Sequence, residues 1–211
     1  MSLFAIQNRK AVFNDFFNPV RDYEFRYGLY DFIILSQDLE NKNLAYLEFG
    51  VSKGYSLRFW SDKLKNPNTR LFGFDTFKGL PEAWGSYRIG DMRAGMQEIA
   101  TDDERVYLVK GLFQETLPGW LKTAGLGQFD QRIIHLDADL YSSTLYVLTT
   151  IFPHLREGDV LIFDEFNVPL HEFKAYSDFC ASYYAHFDLI GAVNNYFQTA
   201  FVYRGQRLPA V

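Results

Sequence analysis

Acidic side chains close four apolar runs of this chain: Glu48 in LAYLEF (44–49), Asp75 in LFGFD (71–75), Asp137 in RIIHLD (132–137) and Asp164 in DVLIFD (159–164). Asp139 and Glu165 follow directly behind the last two. Two chemistries suit acids placed this way. A carboxylate at a strand end can accept hydrogen bonds from both hydroxyls of an adenosine ribose, which is the reading for Asp75. Carboxylates gathered at neighbouring strand ends repel one another unless a cation neutralises them, and hard oxygen donors suit Mg²⁺, Ca²⁺ or Mn²⁺. Asp137 and Asp139 are two apart, so both project from one face while the chain stays extended. Asp164 and Glu165 are adjacent and point to opposite faces unless the backbone turns between them. Raised pKa values or basic partners would relieve the same repulsion. Asp139 could also cap the helix that follows it.

The run LAYLEF leads straight into the turn GVSKG (50–54), where Gly50 and Gly54 supply backbone freedom and room for a ligand to approach the main chain. A dinucleotide fingerprint needs G-x-G-x-x-G to seat a pyrophosphate, and this turn lacks that spacing. Glu48 argues the same way, because a carboxylate there repels a pyrophosphate and suits a ligand with a cationic amino acid tail. A third loop, GLFQETLP (111–118), offers close approach at Gly111 and an aromatic face at Phe113, which serves equally well as core. The histidines 135, 154, 171 and 186 lack metal-ligand spacing, and the single Cys180 reads as a small buried hydrophobe.

These acids need elements to hold them. From residue 44 short apolar runs alternate with amphipathic stretches, the pattern of βαβ units and a mostly parallel sheet with helices on both faces. Five strands are predicted at 44–49, 71–75, 106–110, 132–137 and 159–164, with helices near 55–65, 92–100, 115–123, 142–155 and 170–184. FDLIGAV (187–193) and QTAFVYR (198–204) are separated only by NNYF, which forces an antiparallel hairpin and brings the expected sheet to seven strands. Residues 1–43 carry apolar positions at helical spacing, among them Phe25, Leu29, Phe32, Ile33 and Leu39, and are expected to form a helical lid or interface segment beside a domain at 44–211. The long irregular segment 76–90 is of the kind that carries function in compact domains.

Composition narrows the classes. At 211 residues and 48% apolar content, the chain suits one domain with a large core. A net charge of −5 with dispersed basic residues argues against nucleic acid as a partner. No apolar run reaches a bilayer-spanning length and no signal-peptide pattern opens the chain, so no membrane association and a cytoplasmic location are expected. Aromatic content of 18% points to extra core packing or a homodimer interface.

Five blocks together resemble the macrocin O-methyltransferase family, class I enzymes that methylate sugar and other hydroxyls in natural products: LEFGVSKGYS (47–56), GFDTFKGLPEAW (73–84), KGLFQETLP (110–118), HLDADLYSST (135–144) and LREGDVLIFDEF (155–166). The resemblance implies a Rossmann-like class I methyltransferase fold and S-adenosylmethionine as methyl donor. It also implies Mg²⁺ held by acids matching Asp137, Asp164 and Glu165, and a general base matching Asp139. Candidate cofactor contacts are Glu48, Gly50, Ser52, Gly54, Asp75, Thr76, Gly111, Phe113 and Asp137. The family pattern usually ends its fifth strand with two aspartates and a tyrosine, where this chain has Asp164, Glu165 and Phe166. Two other readings stay open: a metal-independent methyltransferase in which Asp139 acts alone, and a regulatory domain that keeps the cofactor pocket without turnover.

Overall fold

The apolar runs become the strands of one sheet. The computed structural model describes residues 2–8, 11, 13, 14, 18–99 and 101–209. Its strands are β1 (Phe13–Asn14), β2 (Leu44–Phe49), β3 (Arg70–Asp75), β4 (Val106–Lys110), β5 (Gln131–Leu136), β6 (Val160–Phe163), β7 (Ala185–Val193) and β8 (Gln198–Gln206). The helices are α1 (Ser2–Gln7), α2 (Phe25–Ser36), α3 (Tyr55–Lys63), α4 (Phe113–Leu121), α5 (Tyr141–Ile151) and α6 (Glu172–Tyr183). Strand order is β1-β7-β8-β6-β5-β2-β3-β4, with β8 antiparallel to both its neighbours and every other pair parallel.

Period-two alternation sorts the side chains between two layers. Ala45, Leu47 and Phe49 of β2 join Ile134, Leu136, Leu161 and Phe163 beneath α4, α5 and α6. Leu44 and Tyr46 face the other way with Ile133, Val160 and Ile162, beneath α2 and α3. On α2, Leu29 and Ile33 lie one turn apart and are fully buried, each contributing roughly 1.5–3 kcal/mol to docking the helix on the sheet. Among the described residues no helix is long and apolar enough to cross a membrane.

Two sequence expectations need correcting. The sheet has eight strands because β1 adds a two-residue parallel edge to β7, pairing Phe13 with Gly191; a run that short leaves no periodic signal. The helix expected at 92–100 is only a short 3₁₀ turn, Met96–Ile99, with residue 100 outside the described residues. Left-handed backbone at Gly90 (φ +86°) and Met92 (φ +61°) prevents a helix from starting sooner.

From β2 the chain moves outward through β3 and β4, then returns to pair β5 on the opposite side of β2. Connections therefore diverge between β2 and β5, opening a crevice beyond the carboxyl ends of the strands where open α/β sheets bind ligands.

Candidate active site

A cavity of about 380 Å³ fills that crevice. One wall consists of the turn Gly50–Lys53, Asp75, Thr76, Leu112, Phe113 and Gln114. The opposite wall holds Asp137, Asp139, Asp164 and Glu165, joined by Tyr23 and Arg26 from the N-terminal segment. Gly79, Leu80, Pro81 and Met92 of the long loop complete the rim. Sheet pairing continues past the strands to hold these walls together: Gly50 N–H bonds to the Phe74 carbonyl at 2.9 Å, Asp137 N–H to Phe49 at 2.9 Å, and Asp164 N–H to Leu136 at 3.0 Å.

Gly50 is required sterically. Its φ is +98°, and a Cβ there would overlap the carbonyl oxygen of Asp137. Asp75 fastens the turn, its Oδ2 accepting the N–H groups of Val51 and Ser52 at 2.9 Å each and its Oδ1 that of Phe77 at 2.7 Å. Each oxygen retains acceptor capacity for a further hydroxyl. Phe113 belongs to both expectations: it lines the cavity while its ring packs edge-on against Phe49 at 5.4 Å.

Three expected cofactor contacts do not line the cavity. Gly54 (φ +70°) introduces α3 and packs against Ile99, and Gly111 (φ +147°) packs against Thr116. Glu48 lies fully buried on the α2–α3 side of the sheet, where Ser56 Oγ donates to Oε1 at 2.5 Å and Tyr46 Oη to Oε2 at 2.8 Å. Burial pushes its carboxyl up to about 8, against the opposing hydrogen bonds from Ser56 and Tyr46. Glu48 is thus a structural acid behind the wall, with Ser56 between it and the cavity. The network continues from Tyr46 to His135 Nδ1 at 2.7 Å and from His135 Nε2 to Tyr30 at 3.3 Å. Burial and nearby Arg26 hold His135 down to about 3, so it stays neutral.

At the other wall the extended chain stops before Asp139. Asp139 sits at φ +57° in a three-residue turn closed by Leu140 N–H to the Ala138 carbonyl at 2.5 Å, backbone that costs about 1–3 kcal/mol in a non-glycine residue. It does not cap α5, whose N-cap is Leu140. Its carboxyl is hydrogen-bonded to Glu165 instead. Burial raises both groups, and Glu165 rises further because Asp139, Asp137 and Glu172 surround it; the pair therefore holds one proton. Burial also lifts Asp137 well above the usual aspartate range, reinforced by Asp164 and Asp139. Asp164 is pushed up to about 6 by burial, moderated by Arg26, whose Nη1 lies 3.8 Å from Asp164 Oδ2. Phe166 takes the place of the family's tyrosine because it enters a closed aromatic cluster, its ring 5.2 Å from Phe163 and 5.5 Å from Phe4 of α1.

Tyr23 and Arg26 are delivered by a strap anchored to the β7–β8 turn. Asn194, Asn195 and Tyr196 are successive left-handed residues (φ +54°, +55° and +68°). The Asn194 side chain accepts Asp22 N–H at 3.0 Å and donates to the Asp22 carbonyl at 2.9 Å, while Asn195 donates to the Asn18 carbonyl at 2.7 Å. The same turn holds the loop after β6 through Phe166 N–H to Phe197 O at 2.8 Å and Asn167 Nδ2 to Asn195 O at 3.0 Å.

A family model described as a methyltransferase domain matches residues 47–166, more than half of the chain. The chain belongs to that methyltransferase family. Its match runs from β2 through the loop after β6, so it includes every acid of the cavity and excludes Tyr23 and Arg26. Among curated relatives, the 8-demethyl-8-(2,3-dimethoxy-alpha-L-rhamnosyl)-tetracenomycin-C 4'-O-methyltransferase of Streptomyces olivaceus is 28% identical, over 58% of this chain and 52% of the relative. The mycinamicin III 3''-O-methyltransferase of Micromonospora griseorubida is 27% identical, over 61% of this chain and 59% of the relative. The match therefore spans little more than half the length of either curated relative. The crystal structure of CalS11, a calicheamicin methyltransferase, superposes with a TM-score of 0.66 at 23% identity, over 86% of this chain and 80% of that one, a likeness of fold.

Within this family member, the residues that sequence reasoning missed are Arg26 and Tyr23, more than a hundred positions from the acids they face, and Leu112 and Gln114, which flank a correctly read Phe113. Among the described residues no three His, Cys, Asp or Glu side chains form a ready-made cluster for an ion. The donor set nevertheless suits a hard cation: Asp164 Oδ1 and Glu165 Oε2 are buried oxygens without a hydrogen-bond partner.

Proposed function

We propose that this methyltransferase moves the methyl group of S-adenosylmethionine to a hydroxyl of a small molecule or sugar, with Asp139 as general base. The observation that carries the reading is a single cavity with two unlike walls, a glycine turn fastened by Asp75 on one side and paired carboxyls on the other. A tight backbone turn and a ribose-binding acid suit the cofactor; a raised, half-buried aspartate suits proton removal near neutral pH. The relatives named as sugar O-methyltransferases support a hydroxyl acceptor.

When bound, S-adenosylmethionine supplies an electrophilic sulfonium methyl and departs as a neutral thioether that keeps the electron pair of the broken C–S bond. Asp139 accepts the acceptor's hydroxyl proton as the oxygen forms its bond to carbon. Asp75, Gly50 and Ser52 hold the adenosine side, and the remaining work of the chain is to keep the reacting atoms in line. Asp137, Asp164 and Glu165 would hold Mg²⁺, which would lower the pKa of the acceptor hydroxyl. The metal-independent reading also has support, since the proton shared by Asp139 and Glu165 already balances part of the charge at that wall.

Calorimetric titration with S-adenosylhomocysteine, with and without Mg²⁺, tests this on the wild type and Asp75→Ala. Wild-type binding that the variant loses supports the assignment. No binding to folded wild-type protein sinks it and favours a regulatory domain without turnover.

A further inference from the structure

We infer that Glu172 is a positioning residue for the base Asp139, acting through the backbones of the two loops that carry the acids; this rests on the reading of Asp139 given above. Glu172 opens α6 and is fully buried, yet it is not among the residues that line the cavity. Its Oε2 accepts the N–H of Glu165 at 3.0 Å, and its carboxyl also accepts the N–H of Ala138. One side chain thus ties the loop after β6 to the loop after β5, between strands that are neighbours in the sheet.

The two amides it holds are those that matter for aim. Ala138 immediately precedes Asp139, whose left-handed backbone persists only while its surroundings fix it. Glu165 is the hydrogen-bond partner of Asp139. Glu172 therefore sets the spacing of base and partner at once, without touching either carboxyl's route to the acceptor. A carboxyl buried beside Asp164 and Asp139 is electrostatically unfavourable for packing alone, and an apolar side chain would fill the same place at lower cost. Accepting those two N–H groups is what an apolar residue could not do.

The test compares Glu172→Gln, which keeps a carbonyl acceptor, with Glu172→Met, which keeps the length without one, and Glu172→Asp, which withdraws the carboxyl by one methylene. Hydrogen exchange needs no acceptor substrate: exchange at Ala138, Asp139 and Glu165 accelerates in the Met and Asp variants and returns toward wild type in Gln, while Val51 and Ser52 stay unchanged. With a methyl acceptor, kcat falls on the order of 10–100-fold in Met and Asp but not in Gln, and affinity for S-adenosylhomocysteine is preserved in all three. Uniform acceleration across both walls, equal loss of cofactor affinity and kcat, or a Gln variant as impaired as Met would overturn the inference. Failure of wild-type protein to bind S-adenosylhomocysteine would instead strike the functional reading, leaving the exchange result to judge Glu172 separately.

Discussion

Asp139 and Glu165 face each other across one hydrogen bond at the deep wall of the cavity, and burial lets that pair keep a single proton. Only the ionised partner can act as base. Asp139→Asn removes it while preserving size, and turnover is expected to fall by roughly 10²–10⁴-fold, the usual weight of a positioned acid–base group. S-adenosylhomocysteine affinity should change little, and calorimetry beside a turnover assay reads both.

Glu48 gives a pH signature unrelated to catalysis. Its carboxyl is pushed up to about 8 when folded, against about 4.3 in an unfolded chain. An acid with a raised folded pKa favours folding while protonated, so its contribution is full below the unfolded value and is lost as pH rises toward 8. Glu48→Gln keeps a neutral group in place and should lose less thermal stability than wild type between pH 5 and pH 8. A fall in Tm equal to the wild type's across that interval would contradict the assignment.

Gly50→Ala should damage the fold and the cofactor site together, since the added Cβ has no space beside Asp137 and the φ of +98° disfavours it. Chemical denaturation is expected to show a loss of several kcal/mol, in the range of overpacking plus backbone strain. S-adenosylhomocysteine binding should disappear in whatever folded protein remains.

Arg26→Gln removes a cation from Asp164 without changing the cofactor wall. Acceptor turnover should decline by on the order of tenfold or more, as expected for one partner of a half-buried ion pair, while cofactor affinity holds. Equal losses of both would place Arg26 in general stability instead.

Mn²⁺ binding followed by electron paramagnetic resonance in the presence of S-adenosylhomocysteine tests the cation. Asp164→Asn and Glu165→Gln should each weaken it strongly, and EDTA should suppress turnover in the wild type. Full turnover after chelation would favour Asp139 acting without a metal.

Much of this architecture can be read from the chain. Each long strand falls within two residues of its apolar run, because buried parallel strands are short, apolar and bounded by turns. Glu48 was misplaced although its cue was present: in LAYLEF it shares a face with Leu44 and Tyr46, one step inside the strand, whereas Gly50, Asp137 and Asp164 lie just beyond theirs. Tyr23, Arg26 and Glu172 left no such cue. They reach the acids only through packing of the N-terminal strap and α6, which no local spacing records.

The strap held by Asn194 also has a consequence for how the molecule is made. Residues 18–26 leave the ribosome early, but their anchor at Asn194 is synthesised only after every strand of the cofactor wall. The glycine turn and its aspartate can therefore settle while the N-terminal segment still lacks its seat, and the acceptor wall closes last. Folding joins the two halves of the reaction centre in sequence, and the slow, long-range step falls on the half that chooses the substrate.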